Sequence, residues 1–150
     1  MSSLKRILLV EDDPRDIELT LMALGEYKLA NEVDLARDGQ EALDYLYRRG
    51  AFQERAANNP AVILLDLKMP KVDGLEVLRA IRDDGERFKF TPVVMLTSSR
   101  EERDLVESYR LGVNAFVVKP VDFHQFVDAI KQIGAFWALV NEPPPGSVEQ

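Results

Sequence analysis

A chain of 150 residues with no cysteine and one histidine has room for a single domain, excludes thiol chemistry and histidine-cluster zinc sites, and leaves little room for a Ser-His-Asp triad. The net charge of −7 argues against a nucleic-acid surface, whose affinity comes from neutralising phosphates, and against polybasic membrane attachment. No apolar run approaches the ~20 residues a membrane span needs, and the short run after Lys5-Arg6 gives way at once to Glu11-Asp12-Asp13, so no signal peptide is expected and a cytoplasmic location is.

Ile7-Leu8-Leu9-Val10 is continuous rather than alternating, as suits a strand buried on both faces of a parallel sheet. Asp13-Pro14 then supplies an N-cap and a first-turn proline for a helix carrying Ile17, Leu21 and Leu24 on one face. Val33 and Leu35 alternate with Glu32 and Asp34, the pattern of an edge strand. Asp38 or Gly39 opens a second helix with Ala42, Leu43, Leu46 and Tyr47, and residues 49–60, with Asn58-Asn59-Pro60, form a longer surface connection.

The second continuous run is Ala61-Val62-Ile63-Leu64-Leu65, followed by a helix opened at Asp73-Gly74 and carrying Val77, Leu78 and Ile81. The third run is Val93-Val94-Met95-Leu96. Ser99 and Glu102 have the spacing of a capping box before Leu105, Val106 and Tyr109, and Gly112 is placed to stop that helix. Ala115-Phe116-Val117-Val118 is a weaker strand, and Asp122 opens the last helix. The segment Asn141-Glu142-Pro143-Pro144-Pro145-Gly146-Ser147 cannot be helical. The expected organisation is one domain over residues 1–141, a mobile Pro-rich tail over 142–150 and no second domain. Strand and helix alternate five times, which reads as an α/β fold with a doubly wound parallel sheet and right-handed crossovers.

In such a sheet, sites form beyond the carboxyl ends of the strands. Glu11 and Asp12 follow the first run, Asp66 the second, Thr97 the third, and Lys119-Pro120 the last strand. Each has an ordinary structural reading taken singly: an acid at a strand end caps a helix, and Asp13 before Pro14 does so here. Taken together they are the types that one reaction requires. Clustered carboxylates repel, and a hard divalent cation relieves the repulsion. A carboxylate can attack phosphorus to give an aspartyl-phosphate, and phosphoryl transfer then needs mainly positioning and charge neutralisation, which Mg2+ and Lys119 would supply.

The segments Ile7-Leu8-Leu9-Val10-Glu11-Asp12-Asp13-Pro14, Ile63-Leu64-Leu65-Asp66-Leu67-Lys68-Met69-Pro70 with Asp73-Gly74, Pro92-Val93-Val94-Met95-Leu96-Thr97 and Phe116-Val117-Val118-Lys119-Pro120 resemble the receiver domain of bacterial response regulators. The resemblance spans about residues 5–140 and implies a flavodoxin-like sheet of strand order 2-1-3-4-5 with five helices. It implies that Asp66 is the phosphoacceptor, accepting from a sensor histidine kinase. Asp12 would bind Mg2+ (or Mn2+) directly, Glu11 through water, and Lys68 through its backbone carbonyl. Thr97 would be the switch hydroxyl, Lys119 the phosphate-binding lysine and Phe116 the switch aromatic, together altering a face made of the fourth helix, fifth strand and fifth helix. A cis peptide is usual in the family at the position of Lys119-Pro120.

Three positions depart from the commonest pattern. The acidic pair is Glu11-Asp12 rather than two aspartates; Phe116 lacks the hydroxyl of the frequent tyrosine, so a switch there would act through packing alone; and Lys68 sets a basic side chain at the position that, by the resemblance, lines the route of attacking water in that family. The 49–60 connection and the sequence Phe136-Trp137-Ala138-Leu139-Val140-Asn141-Glu142-Pro143-Pro144 narrow the likeness to stand-alone receivers paired with phytochrome-type kinases.

The last helix is apolar around half its circumference, through Phe123, Phe126, Val127, Ile130, Ile133, Phe136, Trp137 and Val140. A helix that packs once needs a stripe only somewhat wider than ~100°. Extra core is one reading of the surplus and a protein interface the other, the latter predicting a homodimer through the last strand and helix. His124, in the first turn of that helix, reads as a surface residue and not as a phosphate donor. Two other functions are kept in view. A hydrolase of the haloacid-dehalogenase type would carry an Asp-x-Asp motif, where this chain has Asp66-Leu67-Lys68. A phosphorylation-independent interaction module on the receiver fold would need none of the pocket residues this chain retains.

Overall fold

The computed structural model describes residues 6–26, 32–55, 58–84, 86–98, 101–119 and 122–141. Strands β1 (Ile7–Val10), β2 (Val33–Ala36), β3 (Val62–Leu65), β4 (Val93–Thr97) and β5 (Ala115–Val118) alternate with helices α1 (Pro14–Gly25), α2 (Gly39–Leu46), α3 (Gly74–Asp83), α4 (Glu102–Arg110) and α5 (Phe123–Gly134). All strand pairs are parallel and the order is β2-β1-β3-β4-β5, the arrangement expected of the chain.

The continuous apolar runs serve two cores at once, because successive side chains leave a strand on opposite faces. Leu8, Val10, Ile63, Leu65, Val93 and Met95 join Ala42 and Leu46 of α2 and Val77, Leu78 and Ile81 of α3. Ile7, Leu9, Val62, Leu64, Val94 and Leu96 join Ala23 and Leu24 of α1 and Phe126 and Ile130 of α5 on the other face. Each of the larger side chains removed from water contributes roughly 1.5–3 kcal/mol before entropy is counted.

Four of the five capping residues lie where the sequence places them. Asp13 accepts from the N–H groups of Arg15 and Asp16 with Pro14 opening α1, Asp38 accepts from Glu41, and Asp122 from Gln125. Asp73 and Glu76 form a reciprocal capping box at α3, and α4 ends at Leu111 with Gly112 at φ 87°, a conformation glycine adopts without steric cost.

Two expectations about helices are corrected. Helix α4 begins at Glu102 behind Glu101, which makes no side-chain cap, rather than in a box opened at Ser99; Ser99 itself lies outside the described residues. The last helix is not α-helical to Val140: α5 ends at Gly134 and residues Ala135–Val140 continue with π geometry. A wider turn rotates the following side chains relative to an ideal 3.6-residue repeat, so the apolar stripe cannot be extrapolated past Ala135. The 49–60 connection contains a 3-10 turn at Gly50–Phe52, and Arg55 ties it down by donating to the Tyr45 carbonyl at 2.9 Å and stacking over the Tyr45 ring at 4.0 Å. The cis peptide expected at Lys119-Pro120 and the expected mobile tail over 142–150 both fall outside the described residues.

Candidate phosphoacceptor site

β1 and β3 run side by side, with Val10 opposite Leu65, and the Asp66 N–H donates to the Val10 carbonyl at 3.0 Å. Glu11 and Asp66 therefore leave the sheet as neighbours. Both are buried, while Asp12 is exposed. One carboxylate oxygen each from Glu11, Asp12 and Asp66 lies within 4.8 Å of the others. Asp66 Oδ1 accepts from the Leu67 N–H at 2.9 Å, and Glu11 Oε1 from the Asp13 N–H at 3.3 Å. These bonds fix one oxygen of each carboxylate.

Lys119 arrives from the other side of the sheet. Thr97 pairs with Val118 at the ends of β4 and β5, and the Lys119 N–H donates to the Thr97 carbonyl at 2.7 Å. Its side chain crosses toward β1. Nζ lies 2.6 Å from Glu11 Oε2, 2.8 Å from Asp16 Oδ2 and 3.8 Å from Asp66 Oδ1. The sequence reading missed Asp16. Its place in the first turn of α1 has a sufficient structural reason, since an acid there complements the helix dipole, and nothing in the spacing shows that the strand-end lysine reaches it.

The electrostatics follow from burial. Desolvation and the neighbouring Asp66 push the Glu11 carboxyl up to about 7, against the pull of Lys119. Desolvation also raises Asp66, with Lys119 opposing it. Burial lowers the Lys119 ammonium, but the Asp16 hydrogen bond, Asp66 and Glu11 outweigh it and leave its pKa above the ordinary lysine value. One ammonium thus serves more negative charge than it can neutralise. Three hard oxygen donors in reach of one another with charge left over fit an ion such as Mg2+ or Mn2+.

Thr97 is fully buried at the end of β4. By strand alternation it shares a face with Met95, and Met95 lies opposite Phe116 in the sheet. Phe116 is half-buried against the core under α2 and α3. Thr97 and Phe116 therefore stand on one face at the β4–β5 edge. The Lys68 side chain turns toward α4: its exposed ammonium lies 3.6 Å from the buried Asp104 carboxylate in the first turn of that helix. Asp104 was another residue not foreseen. His124 is exposed, as expected.

The family model for the response regulator receiver domain matches residues 7–131. Response regulator Rcp1 of Synechocystis sp. is 37% identical over 133 residues, covering 89% of this chain and 88% of Rcp1. A structure of the Mn2+-bound form of Rcp1 superposes with a TM-score of 0.86 at 36% identity, covering 93% of this chain and 99% of that one. The phosphorylated cyanobacterial phytochrome response regulator RcpA gives a TM-score of 0.86 at 40% identity, over 93% of this chain and 98% of its own. The bacteriophytochrome response regulator RtBRR is 65% identical, with a TM-score of 0.74 over 96% of this chain and 86% of its own.

Proposed function

This chain belongs to the response regulator receiver domain family, and on that premise we propose that it is a single-domain response regulator phosphorylated on Asp66 by a sensor histidine kinase. The observation that carries the reading is the setting of Asp66: a buried carboxylate sharing its pocket with Glu11 and Asp12, with the Lys119 ammonium 3.8 Å away. One Asp66 carboxylate oxygen attacks the phosphorus of a phosphohistidine. The new P–O bond forms as the P–N bond breaks, and the electron pair leaves on the imidazole nitrogen. Leu67 N–H holds the other oxygen, and Lys119 is placed to oppose the charge of the incoming phosphoryl group.

Glu11, Asp12, Asp66 and the Lys68 backbone carbonyl would hold Mg2+ or Mn2+. When bound, the ion supplies the charge neutralisation that Lys119 alone cannot. Helix α4, strand β5 and helix α5 form the face that responds, through Thr97 and Phe116. The partner is a kinase of the phytochrome type, a reading supported by the phytochrome response regulators this chain resembles. The protein works in the cytoplasm as a phosphoacceptor and not as a turnover enzyme, engages neither nucleic acid nor membrane, and forms a homodimer through β5 and α5. No described helix is long and apolar enough to cross a membrane.

The test is incubation with acetyl phosphate and Mg2+, read by intact-protein mass spectrometry. Wild type gains one phosphoryl group, and Asp66→Asn gains none. Labelling of that variant at the wild-type level would overturn the assignment. Rapid turnover of small phosphoesters would favour the hydrolase reading instead.

A further inference from the structure

Lys119 does not point its charge mainly at Asp66. Two carboxylates hold its ammonium at hydrogen-bond distance, Glu11 at 2.6 Å and Asp16 at 2.8 Å, while Asp66 is 3.8 Å away. A lysine has three N–H donors, and two are committed away from the phosphoacceptor. Asp16 is well placed to keep its share. Its backbone N–H donates to Asp13 Oδ1 at 3.3 Å, so the cap that opens α1 also fixes the turn carrying it. The Lys119 side chain is 9% exposed and that of Asp16 26%, so the pair is only partly screened by water.

We propose that Asp16 is a positioning residue that restrains Lys119, holding its ammonium on the α1 side of the pocket and slowing phosphoryl transfer to Asp66. This rests on the reading of Asp66 as phosphoacceptor. Charge develops on the phosphoryl oxygens as the donor bond breaks, and an ammonium free to approach them lowers the barrier. Asp16 opposes that approach in two ways. It must give up a charge-assisted hydrogen bond before Lys119 can swing toward Asp66, and its own negative charge weakens the field Lys119 exerts there. The same restraint applies to hydrolysis of the acyl phosphate, where water attacks the same phosphorus and the Asp66 carboxylate leaves. Asp16 therefore sets how fast the phosphorylated state is gained and lost, without touching the phosphoryl group.

The experiment measures phosphorylation by acetyl phosphate with saturating Mg2+, and decay after donor removal, in wild type, Asp16→Asn, Asp16→Glu, Lys119→Ala and the Asp16→Asn/Lys119→Ala pair. Asp16→Asn raises both rates by roughly threefold to tenfold. Asp16→Glu returns them toward wild type, and in the Lys119→Ala background Asp16→Asn changes neither. Thermal unfolding checks that each variant is folded. An unchanged or slower Asp16→Asn protein, or the same acceleration without Lys119, would overturn the role given to Asp16. A wild type that takes up no phosphoryl group would instead overturn the phosphoacceptor reading itself.

Discussion

Gly74 packs its backbone against the carbonyl of Asp66: a Cβ at Gly74 would stand 2.3 Å from that oxygen and 2.8 Å from the Leu67 Cα. The Gly74 N–H donates to the Leu67 carbonyl at 2.8 Å, so the start of α3 and the Asp66–Leu67 peptide hold each other. Any side chain at 74 must push backbone, which cannot rotate aside. Gly74→Ala is expected to lower stability by about 1–3 kcal/mol and to slow phosphorylation of Asp66 by displacing its carboxylate. Denaturant unfolding and the acetyl phosphate assay, run on the same sample, check both effects. Unaltered stability and rate would show that this contact yields without cost.

The pH dependence has a definite sign. Burial and Asp66 push the folded-state Glu11 carboxyl up to about 7 from its ordinary value near 4.5. Between those values the folded state binds more protons than the unfolded state, so this group's contribution to stability falls as pH rises through the window. A divalent cation competes with the bound proton. Mg2+ at about a hundred times its Kd is expected to raise the melting temperature by roughly 5–10 °C at pH 8, and by clearly less at pH 5.5. Glu11→Gln should flatten that difference. Calorimetry at the two pH values checks it, and an equal shift at both in wild type would contradict the coupling of proton and cation.

Much of this was legible in the sequence because parallel strands leave a strong mark. β1, β3 and β4 are buried on both faces, so their apolar runs are continuous, and the residue after each run falls at the same sheet end. That pattern marks Asp66 and Thr97. What stayed hidden depends on reach across the fold. The partnership of Lys119 with Asp16 joins residues 103 apart in the chain, and that of Lys68 with Asp104 joins a loop to a helix turn. Gly74 reads as a helix opener, which it is, but its contact with Asp66 exists only once α3 is docked. The π turn after Gly134 has no signal in apolar spacing, because Phe136 and Trp137 satisfy either geometry.

Thr97 and Phe116 share a sheet face, which gives the proposed switch a short path. A phosphoryl group on Asp66 would attract the buried Thr97 hydroxyl, and the half-buried Phe116 would follow into vacated space. Moving a two-state element from 1:99 to 99:1 takes about 5.5 kcal/mol of differential interaction, within reach of a few charge-assisted hydrogen bonds. Thr97→Ala is expected to accept phosphate while losing most of the response on α4, β5 and α5. Amide NMR spectra before and after phosphorylation check this. The same shifts on that face in mutant and wild type would defeat the coupling.

Phe136 is 48% exposed and meets Trp137 edge to face at 5.0 Å between ring centres. Trp137 is half-buried against the core beneath α1 and α5, so the ring pair joins that core to the surface. On α4, Leu105, Val106 and Tyr109 are also exposed. Single exposed apolar residues are ordinary, but aromatic surface continuous with a core is typical of interfaces. In a two-fold dimer each residue counts twice. Burying the exposed half of Phe136 is worth about 1 kcal/mol per copy, and screening limits the opposing effect of the acidic net charge to about 8 Å at physiological salt. Phe136→Asp is therefore expected to weaken self-association by roughly tenfold or more, while leaving phosphorylation of Asp66 intact. Sedimentation velocity over a concentration series, with and without acetyl phosphate, measures it. A wild type that stays monomeric throughout would leave Phe136 a surface residue and remove the dimer.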